Sequence, residues 1–323
     1  MLDAGAVAGG AAGSNGGFLL AGLPSFHHDA EREIGRERAR TIYRLTMAEL
    51  DRIAVETPDV VRRVGSLRIA DTPEEADDCE RQFASMESAG LPVERYAGPE
   101  GRGLLIPTDG AFQPLARCRA LADRALASGA RIFERSAARA FGDGRVATDH
   151  GTVNCRHVVV AVDGGLERLV PALATRVRSA RLQMMATAPA TDIRAPRPVY
   201  RRWGLDYWHQ LPDGRVALGG GRDVGGEAEW TTDRDVTPVV QQYLERTMRE
   251  RVGTSAPITH RWAATVAFTT DHMPVVERID TGAWVIGGYS GTGNVLGALL
   301  GRGVARTIVN GDSSLLAPFL ATA

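Results

Sequence analysis

The chain has 323 residues, 44% of them hydrophobic and 24% charged, enough to bury a large core and to divide into two domains. A formal charge of −1 offers no field for nucleic acid or for an anionic membrane surface. All 38 basic residues are arginine, which excludes lysine Schiff bases and a Walker lysine, and the three cysteines, Cys79, Cys118 and Cys155, lack metal or disulfide spacing.

Residues 2–18 read L-D-A-G-A-V-A-G-G-A-A-G-S-N-G-G-F, an acidic residue followed by a glycine-rich turn. This opening is small and apolar but carries Asp3 and no basic segment, so no signal peptide is expected. From residue 29 to 56 apolar positions recur at helical spacing among charges, predicting one amphipathic helix. His27 and His28 precede it; adjacent histidines point apart and no carboxylate–histidine spacing follows, so no metal site is expected. Residues 64–70 read as a strand, and Thr72-Pro73-Glu74-Glu75 as the capped start of a helix that Gly90 ends. A strand at 104–107, a helix at 114–128 closed by Gly129 and a strand at 131–134 follow. A hairpin about Asp143-Gly144 joins 137–141 to 146–149, and 153–162 reads as a buried strand.

From residue 180 to 266 the pattern turns to longer strands, at 181–188, 199–202, 205–210, 216–220 and 260–268, with a helix at 238–252. Near the C-terminus, residues 283–310 read A-W-V-I-G-G-Y-S-G-T-G-N-V-L-G-A-L-L-G-R-G-V-A-R-T-I-V-N. A short buried strand ends in Gly287-Gly288, a turn of small residues follows, and an apolar helix begins at Asn294. Such a turn presents bare backbone N–H groups at the positive end of a helix dipole, a place for an electron-rich ligand oxygen. Gly297, Gly301 and Gly303 strip bulk from the helix, implying close approach to its backbone.

These two ends resemble the D-amino-acid-oxidase-type FAD-dependent oxidoreductases. The first end is similar to their acidic strand end and glycine-rich loop, and G-Y-S-G-T-G-N to their last flavin-contacting turn. Residues 103–114, 158–164 and 269–276 resemble interior landmarks of that family in order, so the likeness covers nearly the whole chain. It implies an α/β (α+β overall) architecture. A Rossmann-like FAD-binding domain would take 1–58, 109–175 and 268–323, and an antiparallel-sheet substrate domain 59–108 and 176–267. The family places a G-x-G-x-x-G turn about 20 residues before the acidic residue, to cradle the FAD pyrophosphate. That first strand and pyrophosphate-binding helix are expected to be absent from this chain, which opens at Met1-Leu2-Asp3 and leaves the FAD-binding domain N-terminally truncated; Gly5, Gly9 and Gly10 do not replace them.

The resemblance implies roles residue by residue. Asp3 matches the carboxylate that binds the adenosine ribose, with a surface turn carboxylate as the alternative. Ala12, Gly13, Ser14 and Asn15 match the loop touching pyrophosphate and flavin, and Asn15 is equally a helix cap. Ala138 matches a backbone contact to adenine. Ala161 to Gly164 match the strand-end turn nearest the cofactor, although the usual threonine and glycine are Val162 and Asp163 here. Gly288, Gly291, Thr292, Gly293 and Asn294 match the turn at the flavin pyrimidine ring.

Two departures narrow the expectation. The arginine that amino-acid oxidases use to clamp a substrate carboxylate falls at Val266, disfavouring simple D-α-amino acids. The cysteine that sarcosine-oxidase-type enzymes bond to flavin falls near Ala264, so FAD is expected to be noncovalent. The forms S-N-G-G-F and G-Y-S-G-T-G-N-V-L-G are closer to the γ-glutamylputrescine-oxidase-like branch. The resemblance thus implies oxidation of the C–N bond of an amine or secondary amino acid to an imine. The alternative is a truncated or degenerate, non-catalytic paralogue that no longer holds FAD. Tyr207, His209 and Arg222 are the candidates on the substrate side, each with an ordinary packing or surface role as its alternative; Tyr207 and His209 share one strand face. No lysine is available to stand over the flavin for oxygen, which points towards a dehydrogenase or slow oxidase. Arginine-only, Ala/Gly-rich usage suggests a bacterial source, and a cytoplasmic location with a small-molecule partner is expected.

Overall fold

In the computed structural model, residues 1–320 are described; residues 321–323, the end of the 268–323 segment, lie outside the described residues. An eight-stranded sheet dominates. Its spatial order is Ile258–Thr269, Val177–Thr187, Val216–Gly220, Asp206–Gln210, Val199–Arg201, Ser66–Ala70, Gly101–Ile106 and Glu94–Gly98. Every neighbouring pair is antiparallel except Ser66–Ala70 with Val199–Arg201, the parallel seam where two separate stretches of chain meet. One face buries Leu67, Val199, Trp208, Val216 and Leu218 against Val240, Leu244 and Met248 of the helix Pro238–Thr247 and the wider turn after it.

A smaller sheet pairs Val159–Val160 in parallel with Trp284–Gly287, and Trp284–Gly287 antiparallel with Val275–Arg278. The helix Gly293–Asn310 covers it. Its buried positions Val295, Leu296, Leu299, Leu300 and Val304 follow the helical period, and Leu296, Leu299, Leu300 and Val304 cluster with Ile42, Val276, Ile286 and Leu316. Full burial of each such side chain stabilises by about 1.5–3 kcal/mol. A third sheet brings Phe18–Leu19, Gly110–Phe112 and Val61–Arg62 together.

Local signals account for most elements. Thr72 accepts from Glu75 N, and the Glu75 carboxylate accepts from Thr72 N, closing a capping box ahead of the helix Pro73–Ser88. Three sequence expectations are corrected. The single helix expected over 29–56 is two, His27–Ile34 and Arg36–Glu56, because Gly35 takes φ +85° and its N–H closes back on Glu31 O. Residues 131–134 form no strand and contribute one parallel bridge, Phe133 to Leu2. The expected buried strand at 153–162 is split: Gly151–Asn154 extends the exposed hairpin and Val159–Val160 joins the parallel pair. In the first segment both faces meet solvent, so its apolar residues carry no burial signal.

The carboxylate of Asp163 ties these parts. Oδ1 accepts from Tyr289 N at 3.1 Å, and Oδ2 from Ala267 N at 3.1 Å. Burial pushes its pKa up to about 6, opposed by the backbone donors of Tyr289, Ala267 and Gly288 and reinforced by Glu167. A carboxyl with a folded-state pKa above its unfolded value holds its proton more tightly when folded. Its contribution is therefore fully present below about pH 4 and is lost as pH rises through about 6. In urea unfolding, the stability gap between the parent and Asp163→Asn is expected to move in the variant's favour between pH 4.5 and 7, by about 2 kcal/mol. A gap that stays constant over that range refutes the assignment.

Candidate active site

Both ends of the chain meet at one cavity of about 520 Å³. On the N-terminal side, the short helix Ala11–Ser14 is closed by Asn15, whose Nδ2 donates to Ala11 O at 3.0 Å and Ala12 O at 2.9 Å. Its Oδ1 accepts from Gly17 N at 2.8 Å, folding the chain into the turn before Phe18. Gly17 has φ +73°, and a Cβ there would stand 2.3 Å from Phe112 O, so no other residue fits. Trp262 Nε1 donates to Ser14 O at 2.8 Å, fixing this loop to the long antiparallel pair. Ala264, Val266 and Phe268 alternate along one face of that pair and line the cavity, together with Leu182 and Met184 across from it.

The C-terminal turn forms the opposite wall. Gly287 lies so close to Val162 O that a Cβ would be 2.3 Å away, and Gly288 and Ser290 take φ of +63° and +49°. Gly291, with φ +95°, faces open space, and a Cβ there would meet nothing within 4 Å of it. Gly293 has a different reason: its Cβ would fall 2.9 Å from the Tyr289 ring, which also lies over Gly297. Leu316 seats on Gly303, whereas Gly301 has no such neighbour. Thr292 spends its hydroxyl on Tyr289 O and does not cap the helix Gly293–Asn310, whose first turn holds no acidic residue. Free N–H groups therefore face a cavity lined by Thr292, Asn294 and Val295. Asn294 Nδ2 donates to Asn15 Oδ1 at 3.1 Å and Phe18 O at 2.9 Å, joining the two walls directly.

These features fit a flavin. The open side of Gly291 lets a planar ring approach the backbone, and the uncapped helix end suits its electron-rich carbonyl edge. None of the three cysteines lines the cavity, consistent with noncovalent holding. Of the sequence-predicted cofactor residues, Ser14, Asn15, Gly291, Thr292 and Asn294 stand together on the lining. The others lie outside it. Asp3 accepts from Gly5 N at 2.8 Å beside the Phe133 bridge, and Gly13 is wedged on Ala8. The Ala12 carbonyl receives Asn15, Ala138 starts a hairpin strand, and Ala161 is exposed. Gly164 fits beneath Thr265, Gly288 against Thr269 and Gly293 beneath Tyr289.

On the remaining side, Phe18, Tyr200 and Tyr207 form an aromatic wall, with Phe18–Tyr200 centroids 5.1 Å apart and Tyr200–Tyr207 5.9 Å. Burial raises both phenol pKa values, Tyr200 to about 12, so the hydroxyls stay protonated. His209 is parted from Tyr207: it is 1% exposed, contacts Arg62 Nη2 at 3.3 Å and is absent from the lining. Burial and the Arg62 charge push its pKa down to about 4, leaving it neutral. Arg222 does line the cavity.

Arg68 and His27 also line the cavity, although neither is among the sequence-predicted site residues. An arginine inside the buried run S-L-R-I-A was the available signal for Arg68. For His27 the sequence offers only the paired-histidine pattern, which bears on metal binding and not on this cavity. Among the described residues no His, Cys, Asp and Glu cluster suits a metal, and no helix is long and apolar enough to cross a membrane. Ser85 Oγ donates to Glu31 Oε2 at 2.8 Å and so accepts from His27 Nδ1 at 2.7 Å. The second nitrogen, Nε2, keeps a lone pair with no partner.

Comparison with known proteins agrees with this geometry. The family model described as FAD dependent oxidoreductase (DAO) matches residues 1–307. The chain is 26% identical to γ-glutamylputrescine oxidoreductase of Escherichia coli K12, over 97% of this chain and 78% of that protein. Its structure is similar to glycine oxidase from Geobacillus kaustophilus, with a TM-score of 0.76 and 22% identity over 99% of this chain and 90% of that one. L-Proline dehydrogenase from P. horikoshii superposes with a TM-score of 0.72 at 19% identity, over 91% and 84% of the respective chains. With the flavin-facing turn, the loop tied to it and the whole-chain match on one molecule, the chain belongs to the DAO family of FAD-dependent oxidoreductases.

Proposed function

We propose that the protein oxidises the C–N bond of an amine or a secondary amino acid to an imine, which water then hydrolyses. The observation that carries this reading is the cavity itself, where the Gly291 turn and the Ser14–Asn15 loop meet opposite an aromatic wall. The relatives support it, since the proteins matched are named as γ-glutamylputrescine, glycine and L-proline oxidoreductases. When bound, FAD supplies the two-electron acceptor for the hydride.

The chain's own residues bind and orient. Phe18, Tyr200 and Tyr207 exclude water from the carbon that gives up its hydrogen and hold the substrate in one pose. Their protonated hydroxyls do not serve as bases. His27 lines the wall as a neutral imidazole, because burial lowers its pKa, and its buried Nε2 has no hydrogen-bond partner among the described residues. We assign the eight-stranded sheet to the substrate domain and the segments around the parallel pair to the FAD-binding domain.

The reading is tested by adding primary and secondary amines anaerobically to the FAD-bound protein. The oxidised flavin absorbance, near ~450 nm, is expected to bleach with at least one of them. On readmitting air, hydrogen peroxide is expected to form more slowly than an artificial acceptor is reduced, because no lysine is present. A flavin that no amine bleaches removes the proposal.

The flavin turn has its own test. Melting curves of Gly291→Val with and without added FAD separate ligand space from backbone strain. The FAD-free variant is expected to lose only the cost of a side chain at positive φ, on the order of 1–2 kcal/mol. It should also lose most of the FAD-dependent stabilisation, about 3–4 kcal/mol at a hundred- to thousand-fold excess over Kd. A variant that keeps the parent's full FAD increment shows that this turn does not hold flavin.

A further inference from the structure

The turn between the strand Trp284–Gly287 and the helix Gly293–Asn310 is held in an uncommon shape. Gly288, Ser290 and Gly291 take φ of +63°, +49° and +95°, and Ser290 carries a side chain there. Such a turn persists only where its surroundings over-determine it. Ser290 N donates to Ala267 O at 3.0 Å, Thr269 N donates to Ser290 Oγ at 3.1 Å, and a Cβ at Gly288 would fall 2.8 Å from the Thr269 side chain. The Asp163 carboxylate adds a restraint from a third segment, with Oδ1 on Tyr289 N and Oδ2 on Ala267 N, each at 3.1 Å. One side chain thereby fixes the residue two places before Gly291 and the strand whose Val266 and Phe268 line the cavity.

The backbone groups that reach this carboxylate are all donors, from Tyr289, Ala267 and Gly288. An ionised carboxylate offers about four lone-pair sites and no hydrogen, so it satisfies every one of them. A protonated carboxyl, or an asparagine amide, sets a hydrogen of its own among the donors and gives up an acceptor. The ionised state is therefore the one that holds the turn, although burial works against it. Its titratable neighbours do not replace it. Glu167, on the helix Leu166–Leu169, disfavours the charge on Asp163 and is itself engaged by Ser179 N and Ser179 Oγ at 3.1 and 2.8 Å. The Tyr289 phenol is raised by burial and by Asp163 and stays neutral.

Resting on the Gly291 turn as the flavin wall, we propose that Asp163 is the positioning residue of that turn: its ionised carboxylate sets the turn in the form that admits FAD, and a proton on the carboxylate competes with FAD. The coupling is reciprocal, so FAD drives the proton off and the proton weakens FAD. In the folded, FAD-free protein the group titrates at about pH 6, so the accepting form prevails above that pH and falls to about one part in eleven at pH 5.

Calorimetric titration of the FAD-free protein with FAD, between about pH 5 and 7.5, tests this. The parent's Kd is expected to rise by up to about ten-fold towards pH 5. Asp163→Asn is expected to bind FAD roughly ten-fold more weakly than the parent at pH 7.5, the size of one lost charge-assisted hydrogen bond, and to lose the rise towards acid. If the Asn variant does not fold, Asp163→Gly, which brings no competing donor, is expected to lose the same rise. His272, which also lines the cavity, provides the control, and His272→Gln is expected to keep the parent's rise. A parent Kd indifferent to pH, a rise that the Asp163 variants retain, or a rise lost in His272→Gln overturns the proposal. The flavin-turn reading fails separately: Gly291→Val with the parent's FAD affinity removes that reading. A weakened Gly291→Val, with the pH dependence shared by parent and Asp163→Asn, removes the Asp163 proposal alone.

Discussion

The site depends on one side-chain amide. Asn294, in the first turn of the last long helix, donates to Asn15 Oδ1 and to Phe18 O, groups that lie 279 and 276 residues away in the chain. Asn15 in turn closes the helix before it and receives Gly17 N, so the loop cannot shift without breaking a partly buried polar network. Such networks are costly to leave half-satisfied, which sets a single relative position for the two walls of the cavity. Hydrophobic burial behind each wall, Leu19, Leu50 and Phe112 with Val295, holds the network where water competes poorly.

A second polar junction sets the height of the flavin turn. Asp163 reaches from the end of Val159–Val160 to Tyr289 N on the turn and to Ala267 N on the long strand pair. The small sheet and the eight-stranded sheet are thereby fixed to each other through one carboxylate. A third, Asp109, is fully buried; it accepts from Ala21 N at 3.0 Å and Ser66 Oγ at 2.6 Å. Each junction lies where chain segments far apart in sequence converge, and together they frame the cavity more than any single element does.

The chemistry of the lining follows from this frame. One side offers backbone donors and no acidic group; the other offers aromatic faces, protonated phenols and arginines. Histidine enters in two opposite ways. His209 is sealed behind the aromatic wall with Arg62 at its side, whereas His27 is held by Ser85 so that its other nitrogen remains free. In both, the second nitrogen Nε2 lacks a partner among the described residues; the difference is access, because only His27 lines the cavity.

The sequence alone determined the class of protein, the glycine-rich ends, the capping box at Thr72 and most strands. Those signals are local: hydrophobic period, turn glycines and cap residues act within a few positions along the chain. It also pointed to Ser14, Asn15, Gly291, Thr292 and Asn294 as neighbours of one ligand. Tertiary structure alone decided which glycines face the cavity and which make room for Tyr289, Leu316 or Thr265, since a bare Cα looks the same in either case. It decided that Tyr207 and His209, on one strand face by period, differ in access: Tyr207 lines the cavity, whereas His209 is buried beside Arg62. It placed Arg222 between two rings contributed by residues 230 and 268, a contact between segments that no spacing along the chain encodes.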